Sequence, residues 1–189
     1  MKKIVLKIGG SFCTNKKENK FEINSEGLNR IAREIYKAKE EKLFSLVIIH
    51  GVGPFGHSSV LEFNINNGIF SREQFKGLSE THCRLKELNL QISRILQANG
   101  LTPFMIQPSL CFRQKNKELI SFNFEPLHSL LKNNKGLIPV LHGDMVPEEV
   151  LNFSVLSGDT IVPVIAEEIN ADLVLLGTNV DGVFTEDPK

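Results

Sequence analysis

Four short segments of this chain carry residues whose types and spacing could handle phosphate. The first is Lys7-Ile8-Gly9-Gly10-Ser11. A lysine closing an apolar run, followed by two glycines and a serine, can place an ammonium and backbone N–H groups around phosphate oxygens. Taken alone, these five residues read more readily as a tight strand-to-helix turn with a surface lysine. The segment is neither a Walker A loop nor a Gly-x-Gly-x-x-Gly fingerprint. The second is His50-Gly51-Val52-Gly53-Pro54-Phe55-Gly56-His57, three glycines between an apolar run and an expected helix. Helix N-termini attract anions through free N–H groups and the macrodipole. His57, beside the glycines, reads as a ligand group. His50, at the end of the apolar run, reads as hydrogen-bonding within the turn. The third is Ser157-Gly158-Asp159-Thr160, opening a helix. Asp159 is either a helix N-terminal carboxylate stabilised by the dipole or the partner of lysines at the centre of a site. Asp144, in His142-Gly143-Asp144, carries the same ambiguity, a turn aspartate being the commoner case. The fourth runs from Gly177 to Pro188. Its polar loop could hold a purine and ribose, or be a hairpin with turns at Asp181-Gly182 and Asp187-Pro188.

These segments need a scaffold, and the hydrophobic pattern supplies one. Short apolar runs at Lys3–Ile8, Leu43–Ile49, Thr102–Ile106, Ile138–Leu141 and Leu173–Leu176 suit strands of a parallel sheet buried on both faces. Helical stripes lie between them, over Ser25–Lys42, Ser79–Ala98 and Gly158–Ile169. Asn99-Gly100 is a C-terminal stop, and Pro163 is tolerable only near a first turn. Arg113–Lys117 is polar and reads as a hairpin or loop. The alternation predicts an α/β fold, a three-layer αβα sandwich with a mainly parallel central sheet, as one domain over residues 1–189. Ligands bind such sheets outside the carboxyl ends of the strands. Every run above ends there in Gly, Ser, Thr, His or Asp.

Composition narrows the partners. The 189 residues carry 22 basic and 22 acidic side chains, a net charge of +0, so no basic field for nucleic acid or anionic lipid exists at whole-chain level. Hydrophobic residues make up 41%, too many for a disordered chain of low charge. No apolar run approaches the ~20 residues of a membrane helix. Lys7 and Gly9-Gly10 interrupt the N-terminal run before a signal-peptide core forms. Cys13, Cys83 and Cys111 are odd in number and far apart, as expected of reduced thiols in the cytoplasm.

Taken together and in this order, the segments resemble the amino acid kinase superfamily, and within it the isopentenyl phosphate kinase family. The carriers are Leu6–Ser11, Thr14-Asn15-Lys16, His50–His57, Gln107-Pro108-Ser109, His142-Gly143-Asp144, Phe153–Asp159 and Leu176–Thr185. The Phe55-Gly56-His57 ending separates this branch from acetylglutamate, aspartate, carbamate and UMP kinases. The resemblance implies ATP-dependent phosphorylation of isopentenyl phosphate to isopentenyl diphosphate, with Mg²⁺ travelling on the ATP. Carried over, Lys7 and Lys16 stabilise the transferring group and Asp159 orients them. Val52, Gly53 and Gly158 offer N–H groups to phosphate, and His57 donates to the acceptor. Ile8, Gly9, Gly10, Ser11 and Gly53 line the nucleotide phosphates with Lys7; Thr178, Phe184 and Asp187 surround the nucleotide. Ser79–Ala98 and the segment around Phe63, Ile69 and Phe75 are candidates for an isoprenoid pocket, though core packing explains them equally. A homodimer through a helix and strand early in the chain is expected too. Val52, Pro54 and Asn179 depart from the family's usual Gly or Ala, Ser or Ala, and Asp. Family members continue past the position of Asp187-Pro188-Lys189, including a Gly-rich segment and a lysine, so a C-terminally truncated domain is expected. The competing readings are a kinase of a small phosphonate, resembling fosfomycin kinases, and a catalytically silent ligand-binding relative.

Overall fold

A computed structural model of the chain describes residues 1–14, 22–132 and 136–178. Its central sheet has five strands: β1 (Lys2–Ile8), β2 (Phe44–His50), β3 (Pro103–Met105), β6 (Ile138–His142) and β9 (Leu173–Gly177). Their order is β3-β6-β2-β1-β9, and every neighbouring pair is parallel.

Side chains alternate across a strand, so one apolar run feeds two cores. Leu6, Ile8, Leu46 and Ile48 face Leu28 and Ala32 of α2 (Ser25–Glu41) and Leu85, Leu88 and Ile92 of α4 (Arg72–Ala98). Val5, Val47 and Ile49 face the other way, onto Leu127 of α6 (Glu125–Lys132) and Ile161 and Ile165 of α7 (Gly158–Glu168). Three layers result, as the hydrophobic pattern predicts.

Shorter elements complete the chain: α1 (Gly10–Cys13), α3 (Pro54–Glu62) and α5 (Pro108–Cys111). A second sheet, β5-β4-β7-β8, combines β4 (Phe112–Lys115), β5 (Glu118–Phe122), β7 (Asp144–Glu148) and β8 (Asn152–Leu156). The expected hairpin at Arg113–Lys117 is the β4–β5 turn; the rest of that sheet was not foreseen.

Three expectations need correction. Helix α4 begins at Arg72, seven residues before the expected Ser79, because Ser71 and Gln74 form a capping box. Gly77 looks like a breaker, but a Cβ there would lie 2.2 Å from the Phe63 ring, so it is a packing glycine inside the helix. Pro163 stands in the second turn of α7, not the first, on its exposed side. Finally, β9 is not buried on both faces among the described residues: Leu176 is 65% exposed, and β1 is the strand it pairs with.

Candidate active site at the carboxyl ends of the strands

The ends of β1, β2, β6 and β9 are tied to one another by their loops. The Gly9 N–H donates to Gly177 O at 2.8 Å, Gly51 N–H to Ile8 O at 2.8 Å, and Gly143 N–H to His50 O at 3.3 Å. The first two loops touch backbone to backbone. A Cβ on Gly51 would lie 2.3 Å from Gly10 N, and one on Gly10 would lie 2.6 Å from Gly53 N. Gly53 has φ +49, and a Cβ there would meet Thr14 Oγ1 at 2.4 Å. Glycine is the residue these contacts admit. Gly51→Ala is therefore expected to lose at least ~2 kcal/mol of stability through overpacking against rigid backbone. Gly158→Ala meets nothing closer than 3.5 Å and should unfold with the wild type in urea. A Gly51→Ala midpoint equal to wild type would show that the loops part freely.

Above these loops opens a cleft of about 760 Å³. Lys7, Gly10, Ser11, Val52, Gly53, His57, Gly158 and Asp159 all line it. One pole is polar. The Lys7 ammonium, at the end of β1, donates to the Asp159 carboxylate on the first turn of α7. The Lys7 side chain is 17% exposed and Asp159 77%, so the ion pair stands at the mouth of the cleft with the carboxylate outermost. The Ser157 hydroxyl caps α7 by accepting from Thr160 N–H at 3.1 Å. Backbone N–H groups of Gly10, Val52, Gly53 and Gly158 have no hydrogen-bond acceptor among the described residues. These donors, one ammonium and the N-terminal end of α7 form an anion-binding pole.

His57 is the fourth residue of α3, exposed, with its backbone N–H on Gly53 O at 3.1 Å. It shares the cleft lining with the apolar side chains of Val60, Leu61, Leu85, Met145 and Val155. Of the expected tail residues, helix α4 contributes Thr81 and Leu85. From the other segment Asn66 lines the cleft, but Phe63, Ile69 and Phe75 do not. Ile69 is buried beside Ile65 and Met145, Phe63 packs on that cluster, and Phe75 faces solvent.

Other expectations fall as follows. Ile8 contributes only backbone near the cleft, since its side chain is in the α2–α4 core and its carbonyl accepts from Gly51. Thr178 follows β9 and is exposed; its Cα would lie 4.0 Å from a Cβ on Gly9. Lys16, Phe184, Asp187, Asn179 and Asp181 lie outside the described residues. Asp144 is not a turn aspartate. It starts β7, is buried, and accepts from Ser109 N–H at 3.0 Å and Met145 N–H at 2.9 Å. Burial pushes its carboxyl up in pKa against those hydrogen bonds. His82 is less free than a helix-surface residue: its Nε2 lies 3.1 Å from Gln107 Nε2, and its Nδ1 3.9 Å from Asp144. His128 does lie on the surface, paired with Glu168 at 2.6 Å. Burial raises the Cys13 thiol to about 12, which makes it inert.

Two features escaped sequence reasoning. Arg84 of α4 donates to Ser59 Oγ of α3 and to Glu80, bracing the helix that carries His57. The Glu80–Arg84 spacing of four was the available signal. His50 and His142, paired in register on β2 and β6, stack with centroids 5.5 Å apart. Burial holds the first to about 3 and the second to about 4. No signal in the sequence showed that the two rings meet, because strand order is not local information.

The residues also bear on a metal. Among the described residues no three His, Cys, Asp or Glu side chains are placed to hold a metal ion together. Asp159 is engaged by Lys7, and Asp144 by backbone donors. Such a cleft fits a divalent ion carried by phosphate oxygens and water, not one held in a protein cage.

Comparison with known proteins agrees with this geometry. The model of the amino acid kinase family matches residues 2–189. An isopentenyl phosphate kinase of Methanothermobacter thermautotrophicus is 35% identical over 98% of this chain and 70% of its own length. That of Methanocaldococcus jannaschii is 36% identical over 96% of this chain and 71% of its own. A crystal structure described as isopentenyl phosphate kinase superposes with a TM-score of 0.90 at 34% identity, covering 98% of this chain and 75% of that one. On its sequence, its layered sheet and the loops at its strand ends, this chain belongs to the amino acid kinase family and resembles isopentenyl phosphate kinases along nearly its whole length.

Proposed function

We propose that the chain transfers the γ-phosphoryl group of ATP to isopentenyl phosphate. The observation that carries this reading is one cleft lined both by anion-binding groups and by apolar side chains, with His57 among the lining residues. An isoprenoid monophosphate is likewise part anion and part apolar. An acceptor phosphate oxygen attacks the γ-phosphorus, the bond to the ADP oxygen breaks, and ADP and isopentenyl diphosphate leave. Both reactants are anions, so catalysis is chiefly positioning and charge stabilisation. In this reading Lys7 neutralises charge on the transferring group, with Lys16 as its sequence-derived partner. Asp159 holds the Lys7 ammonium in place. Val52, Gly53 and Gly158 N–H groups bind phosphate, and Lys7 with Gly9, Gly10 and Ser11 forms the nucleotide side with Thr178, Phe184 and Asp187. Mg²⁺ enters bound to ATP and supplies further neutralisation of the phosphates. The apolar wall disfavours the phosphonate reading, whose acceptor needs a small polar pocket. An ADP-release assay with isopentenyl phosphate, UMP and amino acids tests the proposal. Turnover of UMP or an amino acid, with none of isopentenyl phosphate, would refute it.

His57 gives the sharpest substrate prediction. A hydrogen bond to a charged phosphate is worth ~1.5–3 kcal/mol, so His57→Ala should cost at least ~10-fold in kcat/KM for the acceptor. KM for ATP should hold, and His57→Gln should keep part of the activity because its amide still donates. Equal weakening of ATP would move His57 to the nucleotide side.

The same proposal includes a cytoplasmic homodimer. The early helix first considered for the interface is spent on the core: Leu28 and Ala32 are buried, and Ile31 and Ile35 pack against them. An exposed apolar surface also lies at the sheet edge, where β3 and α4 expose Phe104, Met105 and Leu90 around a groove of about 310 Å³. A second copy meeting this edge would cover those side chains. Sedimentation should show a species of twice the 21.2 kDa chain mass, and Phe104→Lys should shift it to monomer. A wild-type monomer at micromolar concentration would refute this assembly. No helix among the described residues is long and apolar enough to cross a membrane.

A further inference from the structure

His50 never reaches the cleft, yet it fixes a group that does. The ring is fully buried at the end of β2, and its Nδ1 lies 3.0 Å from the carbonyl of Gly51. A carbonyl only accepts, so Nδ1 carries the proton and donates. Nε2 is then an acceptor; it lies 3.3 Å from Asn89 Oδ1 on α4, so the Asn89 amide pairs with it by turning its Nδ2–H₂ to that side. His142 stacks on the ring from β6, so it has nowhere to turn. The peptide joining Gly51 to Val52 is trans, which points its carbonyl and N–H in opposite directions within one plane. With the Gly51 carbonyl drawn inward by the buried ring, the Val52 N–H is driven outward, and Val52 lines the cleft. The neighbouring peptide is fixed as well, because Gly51 N–H donates to Ile8 O at 2.8 Å. The outward Val52 N–H is left without an acceptor among the described residues.

We infer that His50 is a positioning residue: it clamps the Gly51 carbonyl so that the Val52 N–H stands preset as a donor to the acceptor phosphate. This rests on the proposed reading of the cleft and extends it to a residue that touches no substrate. Glycine at position 51 is required by the close approach of Gly10, but glycine also frees that peptide to rotate. A loop built for close packing would swing its donor away from phosphate unless something held the carbonyl. The Asn89–His50 pair does this, and it links the loop to α4, the helix whose Thr81 and Leu85 line the same cleft. A preset donor costs no reorganisation when the anion arrives.

The test separates the clamp from a purely structural histidine. Isopentenyl phosphate is titrated into ¹⁵N-labelled wild type, His50→Phe, His50→Asn and His50→Gln, reading the Val52 amide resonance and the dissociation constant. Turnover is measured separately. Phenylalanine keeps the volume and the stack but cannot donate; asparagine places an amide N–H where Nδ1 was, and glutamine places one where Nε2 was. Loss of one hydrogen bond to a charged group predicts ~10–100-fold weaker binding in His50→Phe, with ATP affinity unchanged. His50→Asn should recover most of the affinity and the Val52 shift, while His50→Gln should not. If His50→Phe does not fold, the Asn and Gln variants decide by the same contrast. Wild-type affinity in a folded His50→Phe, equal recovery in His50→Gln, or a parallel loss of ATP binding would each overturn the clamp. A wild type that binds isopentenyl phosphate without phosphorylating it would overturn the proposed reaction alone, leaving the clamp to stand on the affinities.

Discussion

Replacing Lys7 by alanine should lower kcat by ~10²–10³-fold and leave the fold intact. The magnitude is that of removing one preorganised donor aimed at developing charge in a site shielded from water. Lys7 is placed for this: its side chain is mostly buried, while its ammonium reaches the cleft at the end of a core strand. Little stability depends on it. The partner carboxylate is 77% exposed, and ion pairs with so exposed a member are screened by solvent. Thermal unfolding of Lys7→Ala should therefore stay close to wild type while single-turnover phosphoryl transfer collapses. Asp159→Asn should weaken kcat less, because it loosens the ammonium without removing it. Lys16→Ala is expected to match Lys7→Ala, and Lys17→Ala to be nearly silent. A Lys7→Ala enzyme with unchanged kcat would place the chemistry elsewhere in the cleft.

Acidification should unfold the protein steeply below pH 6.5, through the two stacked histidines. Burial depresses both, His50 to about 3 and His142 to about 4, from an ordinary 6.5. Their neighbours reinforce this: His142 disfavours charge on His50, and Lys86 and His82 add positive charge beside His142. Hydrogen bonds to Gly51, Asn89 and Gly143 act in the opposite sense and do not prevail. Above pH 7 both rings are neutral in the folded and unfolded chain, so stability does not vary through them. Between pH 6.5 and about 4 the unfolded chain binds two protons that the folded chain refuses. Stability then falls with falling pH by ~3 kcal/mol per unit, about 1.4 for each proton. Asp144, raised by burial, contributes the opposite slope, but as one group. Urea midpoints measured from pH 7.5 to 5 should show this decline. In a His50→Phe, His142→Phe double variant that folds, the decline should be much flatter. A wild-type midpoint independent of pH would mean that water reaches these rings.

The sequence by itself determined the layered α/β fold and the positions of the phosphate-handling loops. Both are local. An apolar run such as Leu46–Ile49 must be covered on two faces, because its side chains alternate and all four are buried. A glycine pair after such a run marks where backbone must come close to something. Lys7, His57 and Asp159 were legible as candidates for the same reason: each stands at a strand end or helix start where apolar periodicity stops. What closed the site was contact between residues far apart in the chain. The Lys7–Asp159 pair spans 152 positions, and it forms because β1 and α7 adjoin at the same end of the sheet. The tail wall drew on β7 and β8, part of a sheet whose short, mixed strands give little periodic signal. Phe63, Ile69 and Phe75 were indistinguishable by type from true wall residues, since apolarity serves a core and a ligand alike. The bland reading of His50 as a turn histidine held for its hydrogen bond to Gly51. Its burial against His142 followed only from β2 and β6 lying side by side, and strand order is decided by how the helices between them pack.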